Sequence, residues 1–295
     1  MISWKPIPKS RSVPGAVECM ALYMAALFYT RYAGLVFGNI LGPWAPMLFT
    51  VGIGVLPVLH AIFARYNLSS VFSLKRPAMR EIGGGLLMWA GTFIFVLLVS
   101  GGLVLLFPKI NEAGRELREK MVIGGFSKVL LSIVLLPALC EELLFRGMIL
   151  TGLKNDGNKW VAVVLCGALF GFLHMDPFQI PFTVALGVVF SYVAWETRSI
   201  FVPMIMHGVH NLVILLIVRH SMGKPASAPA AMAQNVASGL SDNPLATIFF
   251  WSVLAALLAG VIAVAVILLY FGKNMVKPKG SQEAEFPVQA SDVNL

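Results

Sequence analysis

The sequence has 295 residues, of which 58% are hydrophobic and only 12% are charged, and its mean hydropathy is +0.83. A soluble globular domain carries about 25% charged residues, so this composition excludes one. The formal net charge of +8 does not indicate nucleic-acid binding, because membrane proteins concentrate Lys and Arg in their cytoplasmic loops. The predicted class is therefore an all-α, polytopic membrane protein that lies in a lipid bilayer.

Eight apolar segments have lengths close to the roughly 20 residues that a membrane-spanning helix needs. They cover about residues 17–37, 43–64, 82–107, 127–150, 160–175, 178–195, 199–218 and 245–271. The residues before the first segment include three basic side chains and no acid, which places the N-terminus in the cytoplasm. Eight crossings then make both termini cytoplasmic, and the expected location is a bacterial-type inner or plasma membrane.

The predicted domain organisation is simple. Residues 1–272 form a single transmembrane helical domain, and residues 273–295 form a polar, disordered cytoplasmic tail. Between the third and fourth spans, residues 108–126 alternate in charge sign, which suits a short helix lying on the membrane surface. The sequence shows no evident internal repeat, so a transporter built from inverted repeats is not indicated.

The fourth span carries Glu141, Glu142 and Arg146 within an otherwise apolar segment. A charge near the centre of a bilayer costs at least a few kcal/mol, so it indicates a functional site by default. Glu142 and Arg146 are four residues apart on one helix face and are predicted to pair. The residue four positions after Glu141 is Phe145, which offers no counter-charge. A purely structural ion pair would explain Glu142 and Arg146 but not Glu141. Pro137 predicts a kink one turn before Glu141.

Two later spans contribute further polar side chains. Phe170 precedes His174 by one helical turn. His207 and Asn211 share one face of their helix, and Gly208 beside them is predicted to permit close helix approach. Each histidine alone could equally be an interhelical hydrogen-bonding group. Three helices that each bring such groups favour one shared site.

Depth and chemistry support that shared site. At a rise of about 1.5 Å per residue, Glu141, His207 and Asn211 lie at similar depths, whereas His174 lies further out unless its helix tilts or ends early. The groups suit peptide hydrolysis, because a desolvated glutamate is a good general base and a histidine can relay a proton. A histidine and an asparagine can donate hydrogen bonds to an oxyanion. Glu141, His174 and His207 could instead form a His2Glu zinc set.

The ordered motifs resemble those of the CAAX prenyl endopeptidase and bacteriocin-processing (CPBP) family of intramembrane proteases. The motifs are Glu141-Glu142-x-x-x-Arg146, Phe170-x-x-x-His174 and His207-x-x-x-Asn211, and the resemblance covers about residues 125–220. It implies a metal-independent glutamate protease without a cofactor. It further implies that Glu141 and His174 activate water, that His207 and Asn211 form the oxyanion hole, and that Glu142 and Arg146 support them.

The resemblance implies a membrane-associated or lipidated protein or peptide as the substrate. Eukaryotic members cut the terminal tripeptide from prenylated proteins, and bacterial-type members are tied to bacteriocin maturation or immunity. The alternatives are a non-catalytic membrane scaffold or immunity factor, a zinc-dependent intramembrane protease, and a transporter with Glu141 as proton carrier. A scaffold would not require His207 and Asn211 on one face, which favours the protease.

Overall fold

A computed structural model of the protein describes residues 13–41, 45–106, 125–154, 158–177, 179–221 and 244–277. Nine helices lie within these residues. Eight are α1 (Ala16–Leu41), α2 (Ala45–Phe63), α3 (Leu68–Val71), α4 (Met79–Leu106), α6 (Lys159–Leu173), α7 (Ile180–Thr197), α8 (Phe201–Ser221) and α9 (Pro244–Val276). Helix α5 is continuous over five segments: Phe126–Val129, Leu130–Leu135, Leu136–Glu142, Leu143–Ile149 and Leu150–Lys154. Within the described ranges, β structure is limited to one isolated bridge between Leu74 and Ser199, so the all-α class is confirmed.

A helix occupies each of the eight segments predicted to cross the membrane. By length and composition, α4, α7 and α8 can each cross a bilayer, and shorter apolar stretches lie in α2, α6 and α9. The polytopic membrane class is therefore confirmed, whereas the number of eight crossings stays a prediction. The predicted surface helix falls mainly on residues 107–124, outside the described ones. So does most of the predicted tail, although α9 continues past residue 272 to Val276.

Loops that the charge pattern predicts to be cytoplasmic lie together. The Ser199 hydroxyl, between α7 and α8, donates a hydrogen bond of 2.7 Å to the carbonyl oxygen of Lys75, which precedes α4. The Arg80 guanidinium donates to the carbonyl oxygens of Met275 and Lys277, at 3.2 and 2.9 Å. The start of α4, the α7–α8 turn and the end of α9 are therefore at one end of the bundle, as the predicted topology requires.

Helix α5 lies at the centre of the bundle, in contact with α1, α2, α6, α7 and α8. The run from Leu144 to Leu150 is buried on all sides, and it is apolar except for Arg146, as expected for a helix in the centre of a bundle. Two π-helical segments, Leu130–Leu135 and Leu143–Ile149, flank the α-helical turns that carry the two glutamates. The distortion predicted at Pro137 takes the form of the first π segment, which ends just before the proline.

Helices α6 and α7 approach each other through glycines. A Cβ atom on Gly187 would lie 2.7 Å from the carbonyl oxygen of Gly167, and a Cβ on Gly167 would lie 2.4 Å from the amide nitrogen of Val188. Small residues allow such close contact between membrane helices. The approach brings the backbone of α7 next to α5, where the Gly187 carbonyl becomes a partner of a charged side chain.

Candidate active site

A buried ion pair on α5 forms the base of the candidate active site. The Arg146 guanidinium donates a hydrogen bond of 2.8 Å to Oε1 of Glu142, and both side chains are 0% exposed. The second Arg146 amino group donates to the carbonyl oxygen of Gly187 at 2.9 Å. The guanidinium carbon also lies 4.5 Å from the ring centroid of Phe170, a favourable cation–π distance. The predicted pairing of Glu142 with Arg146 is confirmed, and α6 and α7 supply additional partners.

Glu142 also holds His207, which lies on α8. Nδ1 of His207 is 2.8 Å from the same oxygen, Oε1, that accepts from Arg146. Because an ionised carboxylate only accepts hydrogen bonds, Nδ1 is the protonated nitrogen and donates to Glu142. The other ring nitrogen, Nε2, is therefore directed away from Glu142, and it lies 4.0 Å from Oε2 of Glu141. The imidazole is fixed between the two glutamates.

Glu141 has the opposite environment from its neighbour. Its Oε2 atom is buried and has no hydrogen-bond partner among the described residues, although its side chain as a whole is 15% exposed. The 4.0 Å to Nε2 of His207 is longer than a hydrogen bond. Glu142 also has one unbonded oxygen, but its Oε1 accepts from two donors. The sequence predicted that Glu141 has no ionic partner on its own helix, and the observed geometry agrees with that prediction.

His174 caps the C-terminal end of α6. Its Nδ1 lies 3.1 Å from the carbonyl oxygen of Phe170 and must donate to it, since a carbonyl has no proton to give. In the neutral imidazole, Nε2 is then the acceptor nitrogen. Helix α6 has 15 residues, which span about 22 Å of the roughly 30 Å hydrocarbon core. The helix therefore ends before crossing the whole core, which is one of the two conditions under which His174 can lie at the depth of the other groups.

Phe170 links the two histidines. Its ring centroid lies 5.2 Å from that of His174 and 5.7 Å from that of His207, both in edge-to-face geometry. The sequence predicted the Phe170 ring on the same helix face as His174, and the structure adds its contact with His207. Phe190 on α7 also contacts His207, at 5.9 Å, and no signal in the sequence identified it.

Asn211 is also directed at α5, but it contacts the backbone. Its Nδ2 atom donates a hydrogen bond of 3.0 Å to the carbonyl oxygen of Ile133. His207 and Asn211 therefore share a face of α8, as predicted, and both reach α5. The expectation for Gly208 is wrong, because a Cβ there would meet only the Cβ of Ala138, at 3.8 Å. That is an ordinary contact, so the helices do not need a glycine at this position.

The metal alternative can be compared with the side-chain positions. Within the described part of the chain, no group of three or more His, Cys, Asp or Glu side chains is placed to hold a metal ion. The three members of the predicted His2Glu set, Glu141, His174 and His207, are not placed as a ligand set. The hydrogen bonds of the two histidines do not decide the question, because they involve Nδ1 and leave Nε2 of each ring free, as in metal-binding histidines.

These features define a class: an all-α polytopic membrane protein with a buried site of carboxylates, imidazoles and an amide between its helices. The family model described as type II CAAX prenyl endopeptidase Rce1-like matches residues 124–213, a range that contains all six predicted site residues. A Bacillus subtilis (strain 168) protein named "Putative membrane peptidase YdiL" is 24% identical over 147 residues, which is 48% of this chain. No solved structure matches the chain.

The three ordered motifs all lie within the residues that the family model matches, and over that part the chain is similar to CAAX-type membrane peptidases. The aligned region spans 60% of the length of the Bacillus protein. The family model begins at residue 124, which lies immediately before α5. Helices α1 to α4 are therefore outside the part of the chain that the family model matches.

Proposed function

We propose that the protein is an intramembrane endopeptidase that hydrolyses a peptide bond of a membrane-associated or lipidated substrate, with a water molecule activated by Glu141. Both matched descriptions are of peptidases. The observation that carries the proposal is the contrast between adjacent glutamates. Glu142 is bonded to Arg146 and His207, whereas a buried oxygen of Glu141 accepts no hydrogen bond from the described residues.

In the proposed reaction, Glu141 acts as the general base. It takes one proton from a bound water, and the hydroxide attacks the carbonyl carbon of the scissile bond. His174 accepts a hydrogen bond from that water through Nε2, because its Nδ1 is engaged with a backbone carbonyl. When the tetrahedral intermediate collapses, the C–N bond breaks and Glu141 returns its proton to the leaving amine. The second proton of the water also passes to the amine, so that one water is consumed and a carboxylate and an ammonium group are released.

The negative oxygen of the intermediate needs hydrogen-bond donors, and α8 supplies two. Asn211 donates through its amide nitrogen. His207 donates through Nε2 when both of its ring nitrogens carry protons, while its Nδ1 stays bonded to the Glu142 carboxylate. Arg146 in turn pairs with Glu142 and holds its carboxylate in place. This arrangement follows the general logic in which a buried carboxylate orients an imidazole and stabilises its imidazolium form.

The proposed cellular setting follows from the topology. The protein crosses the membrane several times with both termini in the cytoplasm, and the substrate reaches Glu141 from the cytoplasmic side. The substrate is defined only by class, as a peptide or protein held at the membrane. No feature of the described residues selects a prenyl group over another membrane anchor.

The test is hydrolysis by the purified protein reconstituted in lipid vesicles. A pool of membrane-inserted peptides is incubated in water enriched in oxygen-18, and the products are identified by mass spectrometry. A hydrolase incorporates one heavy oxygen into each new C-terminal carboxylate. Peptides that stay intact with the wild-type protein, or products that form equally with Glu141→Gln, would reject the proposal.

A further inference from the structure

Pro137 lies close to the site and has no role in the proposed reaction. It lies one turn before Glu141 on α5 and follows the first π-helical segment. Proline has no backbone N–H, so it cannot donate the hydrogen bond that an α-helix directs to the carbonyl four residues earlier. That carbonyl belongs to Ile133. The amide of the preceding residue, Leu136, donates to the carbonyl oxygen of Leu131, five residues back. It therefore does not replace the hydrogen bond that Pro137 cannot make.

The carbonyl oxygen of Ile133 accepts from Asn211 instead, at 3.0 Å. This contact determines how the amide of Asn211 is oriented. A carbonyl can only accept, so Nδ2 rather than Oδ1 faces Ile133, and no amide flip can satisfy the contact. One of the two hydrogens on Nδ2 is used in this bond, and the other is left for a second acceptor.

We propose that Pro137 is a positioning residue: by leaving the Ile133 carbonyl without its α-helical donor, it provides the acceptor that fixes the Asn211 amide for oxyanion binding. This inference rests on the proposed function for its catalytic part. Both oxyanion donors of α8 are then held by α5. Glu142 holds His207 through a charged group, and Ile133 holds Asn211 through the backbone.

The prediction is specific because Pro137→Ala restores an N–H at position 137. That amide can then donate to Ile133 and compete with Asn211 for the same oxygen. The variant removes no polar group, and alanine is the more favourable helix residue. We expect the variant to fold at least as stably as the wild type, with KM within about twofold and kcat lowered roughly 10- to 100-fold, since a small misplacement of a catalytic group has effects of that order.

Two controls make the interpretation unambiguous. Pro57→Ala removes another proline from the interior of a membrane helix, α2, and should leave kcat within about twofold, since no oxyanion donor is proposed to depend on it. In an Asn211→Ala background, Pro137→Ala should have no further effect on kcat. If Pro137→Ala lowers kcat in that background as much as it does in the wild type, the proline does not act through Asn211, and the proposal is overturned. An unchanged kcat in Pro137→Ala alone would overturn it as well.

A stability cycle tests the contact independently of cleavage. Unfolding midpoints are measured in detergent for the wild type, Pro137→Ala, Asn211→Ala and the double variant. Asn211→Ala should lower the midpoint when residue 137 is proline, because the Ile133 carbonyl loses its donor, and should lower it much less when residue 137 is alanine. Equal losses in both backgrounds would overturn the proposal. A wild-type protein without cleavage activity would refute the proposed function, and this cycle would still decide the Pro137–Asn211 coupling.

Discussion

Replacing Glu142 by alanine removes the carboxylate that accepts hydrogen bonds from both Arg146 and His207. The Arg146 side chain is fully buried, so its positive charge would be left without a counter-charge. Breaking a buried pair in this way costs about 3–5 kcal/mol. Because most proteins are stable by only about 5–15 kcal/mol, this is a large fraction of the total.

The neighbouring position provides the matched comparison. Glu141 is on the same helix and is the same residue type, but it lacks an ion pair at hydrogen-bond distance. We expect Glu141→Ala to change stability by less than about 1 kcal/mol, as for substitutions that break no network. The free energy of unfolding of each variant is measured by denaturant titration in detergent micelles. Equal stability of Glu142→Ala and Glu141→Ala would refute the reasoning.

A double variant tests whether the unpaired charge is the cause. Glu142→Leu combined with Arg146→Met replaces the pair by apolar side chains, a change that is often neutral or stabilising for buried pairs. The Gly187 carbonyl also loses its donor, which costs about 1–3 kcal/mol. Stability should therefore recover partly relative to Glu142→Ala. A double variant that is no more stable than Glu142→Ala would contradict the explanation.

Three further predictions concern topology, packing and metal. Single cysteines that replace Lys75, whose side chain is 58% exposed, or Arg198 should react with membrane-impermeant thiol reagents from the cytoplasmic side only. Labelling from the outer side would show that the orientation is the opposite of the predicted one. Gly187→Ala should lower both stability and cleavage because its Cβ would meet the Gly167 backbone, whereas Gly208→Ala should be tolerated. Equal losses of stability in the two variants would argue against close helix approach at Gly187. Elemental analysis of active protein should find no stoichiometric zinc, and cleavage activity should be retained after chelation. Activity that is lost when zinc is removed and recovered when zinc is returned would favour metal activation of the water.

The local features of the site could be predicted from the sequence. The Glu142–Arg146 contact follows from a four-residue spacing on one helix, and the helices follow from long apolar runs. The absence of an ionic partner for Glu141 on its own helix has the same origin. Each of these features is determined by neighbours along the chain, so hydropathy and helical periodicity were sufficient.

The contacts between helices could not be predicted in the same way. The Glu142–His207 hydrogen bond joins residues 65 positions apart, and the Arg146–Gly187 bond joins residues 41 positions apart. Residue type showed that these groups could bond, but not to which partner. Gly208 illustrates the limit, since a glycine next to a histidine predicted close packing that occurs instead between Gly167 and Gly187.

Asn211 shows an intermediate case. Pro137 indicates from sequence alone that the Ile133 carbonyl lacks its usual donor. The identity of the replacement donor depends on how α8 packs against α5, which the sequence does not specify. The structure supplies this packing and shows that the donor is a predicted site residue.

The central claim is that Glu141 is the base that activates water. The most direct test is the cleavage rate of a membrane-inserted peptide by reconstituted Glu141→Gln, compared with wild type at equal amounts of folded protein. Glutamine preserves the size and polarity of the side chain but cannot accept the proton. We expect an unchanged unfolding midpoint and at least a 100-fold loss of rate, in line with the roughly 10²–10⁴-fold contribution of general acid–base catalysis. A folded Glu141→Gln variant that cleaves within a few-fold of the wild-type rate would contradict it.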